Sequence, residues 1–353
     1  MFFCLAVCLA GAGTSTAGDK AAKDHEVTTI IINVPGSIRT DVADMNTEGD
    51  VVGVYEDATW QYHGFLRRHN GSYTTIDIPG LELWSINSIN PAGTMVGVVR
   101  GYNQQNSFCG FLRAPDGTIT IIAAPGAGPN IGQGTEPVSI NPEGVVTGFY
   151  LDANSAYHGF LRSPDGRITT FDAPGAGTGL FQGTEPTALS PSGMITGQTV
   201  DANSVMHAFL RTAEGNITTF DAPGATTAPF LGTRGYGNNP AGVITGMYYD
   251  AFWMPHCFVR DRDGTVTSFD GPGSHYSGCY AINPAGTVAG TYMDEYYVDH
   301  GFLRTARGEV VNFDAPGSAP PYVLKVLAIN PAGVILGSYW DANYQEHSIL
   351  WIP

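Results

Sequence analysis

Six histidines, His63, His158, His207, His256, His300 and His347, each open a short apolar segment. Asp77, Asp172, Asp221, Asp270 and Asp314 follow the first five, each 14 residues on. An imidazole beside a carboxylate is the pairing used for general-base catalysis and for metal ligation. A catalytic centre needs one such pair, however, and this chain has five. The favoured reading is therefore structural: a buried polar pair, made again in each copy, that satisfies its own donors and acceptors. The one copy with Cys109 in place of histidine also has Ala123 in place of aspartate. In the last copy His347 is expected to meet Asn33.

Other residues could also do chemistry. Glu136 and Glu185 sit in matching Gln-Gly-Thr-Glu-Pro segments, with Gln133, Thr135, Gln182 and Thr184 beside them. Two such carboxylates could work as acid and base on a glycosidic bond, although capping of their own loops is favoured. Asp57, Asp152, Asp201, Asp250, Asp294 and Asp341 recur once per copy. A ring of carboxylates could hold calcium. No Asp-x-Asp-x-Asp-Gly run occurs, and aspartate at a turn start is ordinary Asx-turn chemistry, so no cofactor is expected. Phosphate loops, Gly-x-Ser-x-Gly elbows, His-Glu-x-x-His motifs and zinc spacings are missing from the sequence.

These residues are placed by a repeat. Phe65, Phe111, Phe160, Phe209, Phe258, Phe302 and Ile349 recur every 44 to 49 residues. An Asn-Pro-Ala-Gly-like turn ends at Gly49, Gly93, Gly144, Gly193, Gly242, Gly286 and Gly333. A Pro-Gly pair begins at Pro35, Pro79, Pro125, Pro174, Pro223, Pro272 and Pro316. Each marker counts seven. Residues 137–175 read as four short strands: 137–140, 145–150, 157–162 and 168–172, separated by Asn-Pro-Glu-Gly, Asp-Ala-Asn and Pro-Asp-Gly turns. No segment has a helical apolar period. Four antiparallel strands per repeat of this length predict an all-β, seven-bladed β-propeller. The last copy stops after its third strand, and residues 28–36 read as an orphan fourth. The N-terminal strand is therefore expected to complete the last blade and close the ring over 27–353.

The chain has 353 residues, few charged ones (14%) and a net charge of −16. That balance disfavours nucleic acid and anionic membranes as partners. Residues 1–17 read as a secretory signal with Ser15-Thr16-Ala17 at its end, and 18–26 as a flexible leader. The apolar run is too short to span a membrane. The expected location is secreted, extracellular or periplasmic, and a monomer is expected. Cys109, Cys257 and Cys279 are an odd set, so buried free thiols are favoured over a Cys257–Cys279 bridge.

His207-Ala-Phe-Leu-Arg211, the His-Gly-Phe-Leu-Arg versions at 63–67, 158–162 and 300–304, and the Ile-Asn-Pro-Ala-Gly turns resemble the HAF-type repeats of extracellular bacterial repeat proteins. The resemblance covers nearly the whole chain after residue 27. It implies export and a repeat fold, and it carries no catalytic residues. Only one copy here spells His-Ala-Phe.

In an up-and-down blade the first-to-second and third-to-fourth turns share one face. The second-to-third turns and blade-to-blade loops share the other. Loops 126–141, 175–190 and 224–239 are each five residues longer than 36–46, 80–90 and 273–283. Variable loops on a regular frame are where function concentrates. They bring Gln133, Glu136, Gln182, Glu185, Arg234 and Tyr236 to this face. The turns add Trp60, Tyr62, Tyr102, Tyr157, Trp253, Tyr296, Tyr297 and Tyr344. Aromatic rings among amides and carboxylates suit sugars or peptides; covering of blade edges is the competing reading. The leading functional expectation is a binding or scaffold module for a small molecule, glycan or protein. A carbohydrate-polymer lyase or hydrolase at the channel mouth is the alternative, and a structural cell-envelope component the second.

Overall fold

The structure is a computed structural model that describes residues 28–101, 107–314 and 324–352. The expected signal and leader, Tyr102 and Pro316 lie outside the described residues. Twenty-eight strands form six antiparallel sheets, five of four strands and one of eight. The eight-stranded sheet is two four-stranded units joined by a single parallel bridge, Tyr157 to Gly183. The strands thus form seven four-stranded units, here numbered 1 to 7: 37–76, 82–122, 134–171, 183–220, 233–269, 276–313, and 324–352 joined by Thr28–Ile32.

Thr28–Ile32 pairs antiparallel with Glu346–Ile352, Thr28 opposite Ile352 and Ile32 opposite Ser348. The orphan strand therefore supplies the fourth strand of unit 7. Ser348 Oγ donates to Thr40 O of unit 1 at 2.8 Å, tying the last unit to the first.

The core lies between successive sheets. The repeated Phe65, Phe111, Phe160, Phe209, Phe258, Phe302 and Ile349 are all fully buried. Each projects from a third strand into the layer against its neighbour, where burial of a large apolar side chain stabilises by roughly 1.5–3 kcal/mol.

The first strand of every unit carries a β-bulge, at Ala43, Asn87, Val138, Thr187, Tyr236, Tyr280 and Leu327. All seven bulged residues line one cavity of about 260 Å³. The bulge brings a first-strand carbonyl against the second strand. Glycine is required there: a Cβ on Gly148 would overlap Glu136 O, and one on Gly197 would overlap Glu185 O.

The turn asparagines explain themselves in the same region. Asn90 Oδ1 accepts from Thr94 N–H within its own turn, and its Nδ2–H donates to Asn141 O of the next unit at 3.2 Å. Asn46, Asn239 and Asn283 donate forward in the same way. Ser190 interrupts the series; there Asn238 Nδ2–H donates to Met194 O and Thr187 Oγ–H to Gly235 O.

The expected free thiols are not found at two of the three cysteines. Cys257 and Cys279 form a disulfide between the third strand of unit 5 and the first strand of unit 6. At the same position unit 2 makes a close glycine contact with unit 3: a Cβ on Gly110 would overlap Pro137. Two cysteines bond across the gap that glycine leaves there. Cys109 is free and buried. The closed loop of 22 residues predicts that Cys257→Ser/Cys279→Ser lowers stability by about 3 kcal/mol. Thermal unfolding with and without reductant measures this, and equal unfolding temperatures would refute it.

Candidate functional site on the face of the second-to-third turns

Six of the second-to-third turns start at an aspartate whose Oδ1 accepts two backbone N–H groups. Asp152 Oδ1 accepts from Asn154 and Ala156, and Asp250 Oδ1 from Phe252 and Met254. The same pattern holds at Asp57, Asp201, Asp294 and Asp341. The second oxygen faces the histidine. His63 Nδ1 lies 2.7 Å from Asp77 Oδ1, and its Nε2 lies 3.4 Å from Asp57 Oδ2. His158, His207, His256 and His300 reach Asp172, Asp221, Asp270 and Asp314 at 2.6–2.9 Å. Their Nε2 atoms lie 3.4–3.8 Å from Asp152, Asp201, Asp250 and Asp294. Each imidazole thus stands between two carboxylates. In five units a second-strand tyrosine packs on the ring, as Tyr150 does on His158 at 4.9 Å.

Two expectations need correcting. These pairs are not buried: the Asp77 and Asp314 side chains are 62% exposed, so each pair is worth little by itself. In addition, His347 donates to Asp341 at 3.0 Å, while Asn33 accepts from Ser37. The sequence reading did not pair the second aspartate with the histidine, because the turn residues six positions before it were weighed only as a calcium ring and as turn formers.

The long loops fold down rather than stand open. Gln133 Nε2–H donates to Ala153 O and Ser155 Oγ, and its Oε1 accepts from Asn130 N–H. Gln182 does the same with Ala202, Ser204 and Gly179. Thr135 and Thr184 accept from Ala124 and Ala173 N–H and are buried. The two glutamines fasten each loop to the second-to-third turn of the unit it leads into, and the two threonines tie the start of that unit's first strand back to Ala124 and Ala173.

Beneath the loops, Glu136, Glu185 and Arg234 occupy one position in three successive first strands. Glu185 accepts hydrogen bonds from Gln198 Nε2–H and the Tyr157 phenol. Burial raises the Glu185 carboxyl above its ordinary value, against the lowering effect of Gln198, Arg234 and Tyr157. Burial and the Glu185 charge raise Glu136 as well. Burial and both glutamates push the Tyr157 phenol up to about 12. Arg234 donates to Phe230 O and sits over the Tyr249 ring. The group converges between units 3, 4 and 5. Tyr236 is turned away into the cavity lined by the first strands, its ring tilted against Tyr280 at 5.6 Å.

Trp60 and Trp253 are at the tips of their turns, 72% and 66% exposed. Among the described residues, no group of three or more His, Cys, Asp or Glu is placed to hold a metal ion.

The charges on this face set a pH dependence. His63 is raised by its hydrogen bond to Asp77 against burial, and His300 is raised because Asp314 and Asp294 outweigh burial. Their stabilisation is complete below 6.5 and is lost as pH rises through the raised values. Backbone and Thr59 hydrogen bonds hold Asp57 at about 2, and His347 and Gln345 hold Asp341 at about 2. Their stabilisation is lost as pH falls below 3.8 toward 2. The unfolding temperature is therefore expected to peak between about pH 4 and 6.5 and to fall toward pH 8. His300→Gln should flatten the alkaline limb. A profile that climbs from pH 6 to 8 would contradict the pairing.

No family model matches the chain, and comparison with curated proteins finds no match. Solved structures are similar in shape. The β-propeller domain of the Trilobed protease from Pyrococcus furiosus aligns with a TM-score of 0.59 at 9% identity, over 88% of this chain and 95% of that one. Puromycin hydrolase gives 0.57 at 13% identity, over 90% of this chain and 52% of its own. The Pyrococcus horikoshii acylaminoacyl peptidase gives 0.55 at 10%, over 89% and 53%. This chain spans about half the length of the last two. At such identities the likeness is one of fold: the chain has β-propeller architecture.

Proposed function

We propose that the chain is a closed, exported seven-bladed β-propeller that binds carbohydrate polymer on the face of its second-to-third turns, without cleaving it. Seven first strands around one cavity and the pairing of Thr28–Ile32 with Glu346–Ile352 support the count and the closure. The Cys257–Cys279 disulfide suits an oxidising compartment.

The observation that carries the binding reading is a contrast between two faces. On one, every turn closed by an i to i+3 hydrogen bond places glycine in the left-handed conformation, as at Gly49, Gly71, Gly93 and Gly166. On the other, turns of the same shape place Trp60, Trp253, Tyr297 and Tyr344 in that conformation. A bulky residue there is strained by roughly 1–3 kcal/mol. Burial offers no compensation, because all four are mostly exposed. Units 3 and 4 have Ser155 and Ser204 instead. There the next unit's long loop delivers Phe181 and Phe230, also left-handed, hydrogen-bonded onto those serines. Among the described residues, six units thus keep an exposed ring at one rim at the expense of local stability. Strained, exposed aromatic residues belong to recognition, and flat rings suit the apolar faces of sugars.

The Glu136–Tyr157–Glu185 group favours a second reading, hydrolysis or lysis of such a polymer. That reading requires product formation that Glu185→Gln abolishes. The binding reading predicts that the intact protein is retained on insoluble polysaccharide and releases no product. Trp60→Gly and Trp253→Gly should weaken retention severalfold while the unfolding temperature holds or rises. Lower stability with unchanged retention would mean that the rings only cover blade edges.

A further inference from the structure

One pocket on this face lies away from the long loops. Between units 1 and 2, where the connecting loop is short, a cavity of about 360 Å³ is lined by Arg39, Asp41, Tyr62, Glu82 and Trp84. Its aromatic walls are half exposed, Tyr62 at 48% and Trp84 at 47%.

Backbone geometry places Trp84 there. Beyond the bulge shared by all seven units, units 1 and 2 carry a second one, between Ser37 and Arg39 and between Leu83 and Ser85. The extra residues are Ile38 and Trp84. A bulge re-aims a side chain at the expense of ladder regularity, and bulges recur beside functional sites. Arg100 stacks its guanidinium 3.7 Å from the centre of the Trp84 ring and holds it. Arg39 is fixed on its other side, donating to Asp41 at 2.9 Å and to Glu346 of unit 7 at 3.4 Å. The Glu82 carboxylate has no side-chain partner among the described residues.

The pocket therefore offers two aromatic walls, a fixed guanidinium–carboxylate pair and one unpaired carboxylate. Rings receive the apolar face of a pyranose, and planar charged groups bind vicinal hydroxyls. Among the lining residues Asp41 and Glu82 outnumber Arg39, with Arg100 against Trp84 outside the lining, on a chain of net charge −16. We propose that this pocket is a subsite for a cationic amino-sugar unit, with Glu82 facing the ammonium group. The inference rests on the carbohydrate-binding reading above and names its ligand class.

Calorimetric titration with a glucosamine trisaccharide tests it, against a glucose trisaccharide and a galacturonate trisaccharide. The glucosamine oligomer should bind best and the galacturonate oligomer least. Trp84→Ala should weaken binding by about tenfold or more. Glu82→Gln should erase the preference for glucosamine over glucose while leaving the unfolding temperature unchanged. Trp253→Gly, on unit 5, should leave oligomer binding intact while weakening retention on polymer. Oligomer binding that is missing, or indifferent to Trp84→Ala and Glu82→Gln, overturns the subsite. If polymer retention still depends on Trp253 in that case, the broader reading survives; if no polymer is retained, that reading falls separately.

Discussion

The pairing of Thr28–Ile32 with Glu346–Ile352 is the contact on which the other features depend. A sheet that ends on an open strand leaves a row of unpaired N–H and C=O groups, and such an edge invites association. Here the two ends of the chain complete one unit together. Unit 7 then packs against unit 1, where Ser348 bonds Thr40 and Glu346 pairs with Arg39. The same contact orients the guanidinium of the candidate pocket. Architecture and site are joined at that point.

Repetition supplies the frame and departures from it supply asymmetry. The buried phenylalanines, the first-strand bulge and the asparagine series are nearly the same in every unit. Bulky residues in strained positions are found on one face. Glycine would fit the turns better than Trp60 or Trp253, and a regular ladder would fit better than the Trp84 bulge. In units 3 to 5 the long loops lie over the first strands, with Glu136 and Glu185 half-buried beneath them. Where loops are short, at units 1 and 2, Asp41 and the nearby Trp84 remain accessible from outside.

Much of this was legible in the sequence because turns dictate it. Proline and glycine at fixed intervals delimit the strands: Tyr157–Arg162 appears with the expected bounds, and residues 168–172 form Ile168–Phe171. The strand expected at 137–140 begins earlier, at Gly134, because pairing with Val146–Leu151 extends the ladder through Thr135 and Glu136. Histidine and aspartate 14 residues apart meet because a hairpin brings them opposite. What could not be read depends on register between units. Cys257 and Cys279 meet only because the third strand of one unit lies against the first strand of the next. Trp84 turns outward only because a residue is inserted in the ladder. The long loops promised an open site, but Gln133 and Gln182 fasten them down, a role that spacing alone does not reveal.

Hydrogen exchange across Glu346–Ile352, compared between the full chain and a chain lacking residues 1–33, tests the closure most directly. The account predicts strong protection of these amides in the full chain, and in the shortened chain its loss together with a lower unfolding temperature and a tendency to associate. Equal protection and equal unfolding temperature in the two chains would contradict it.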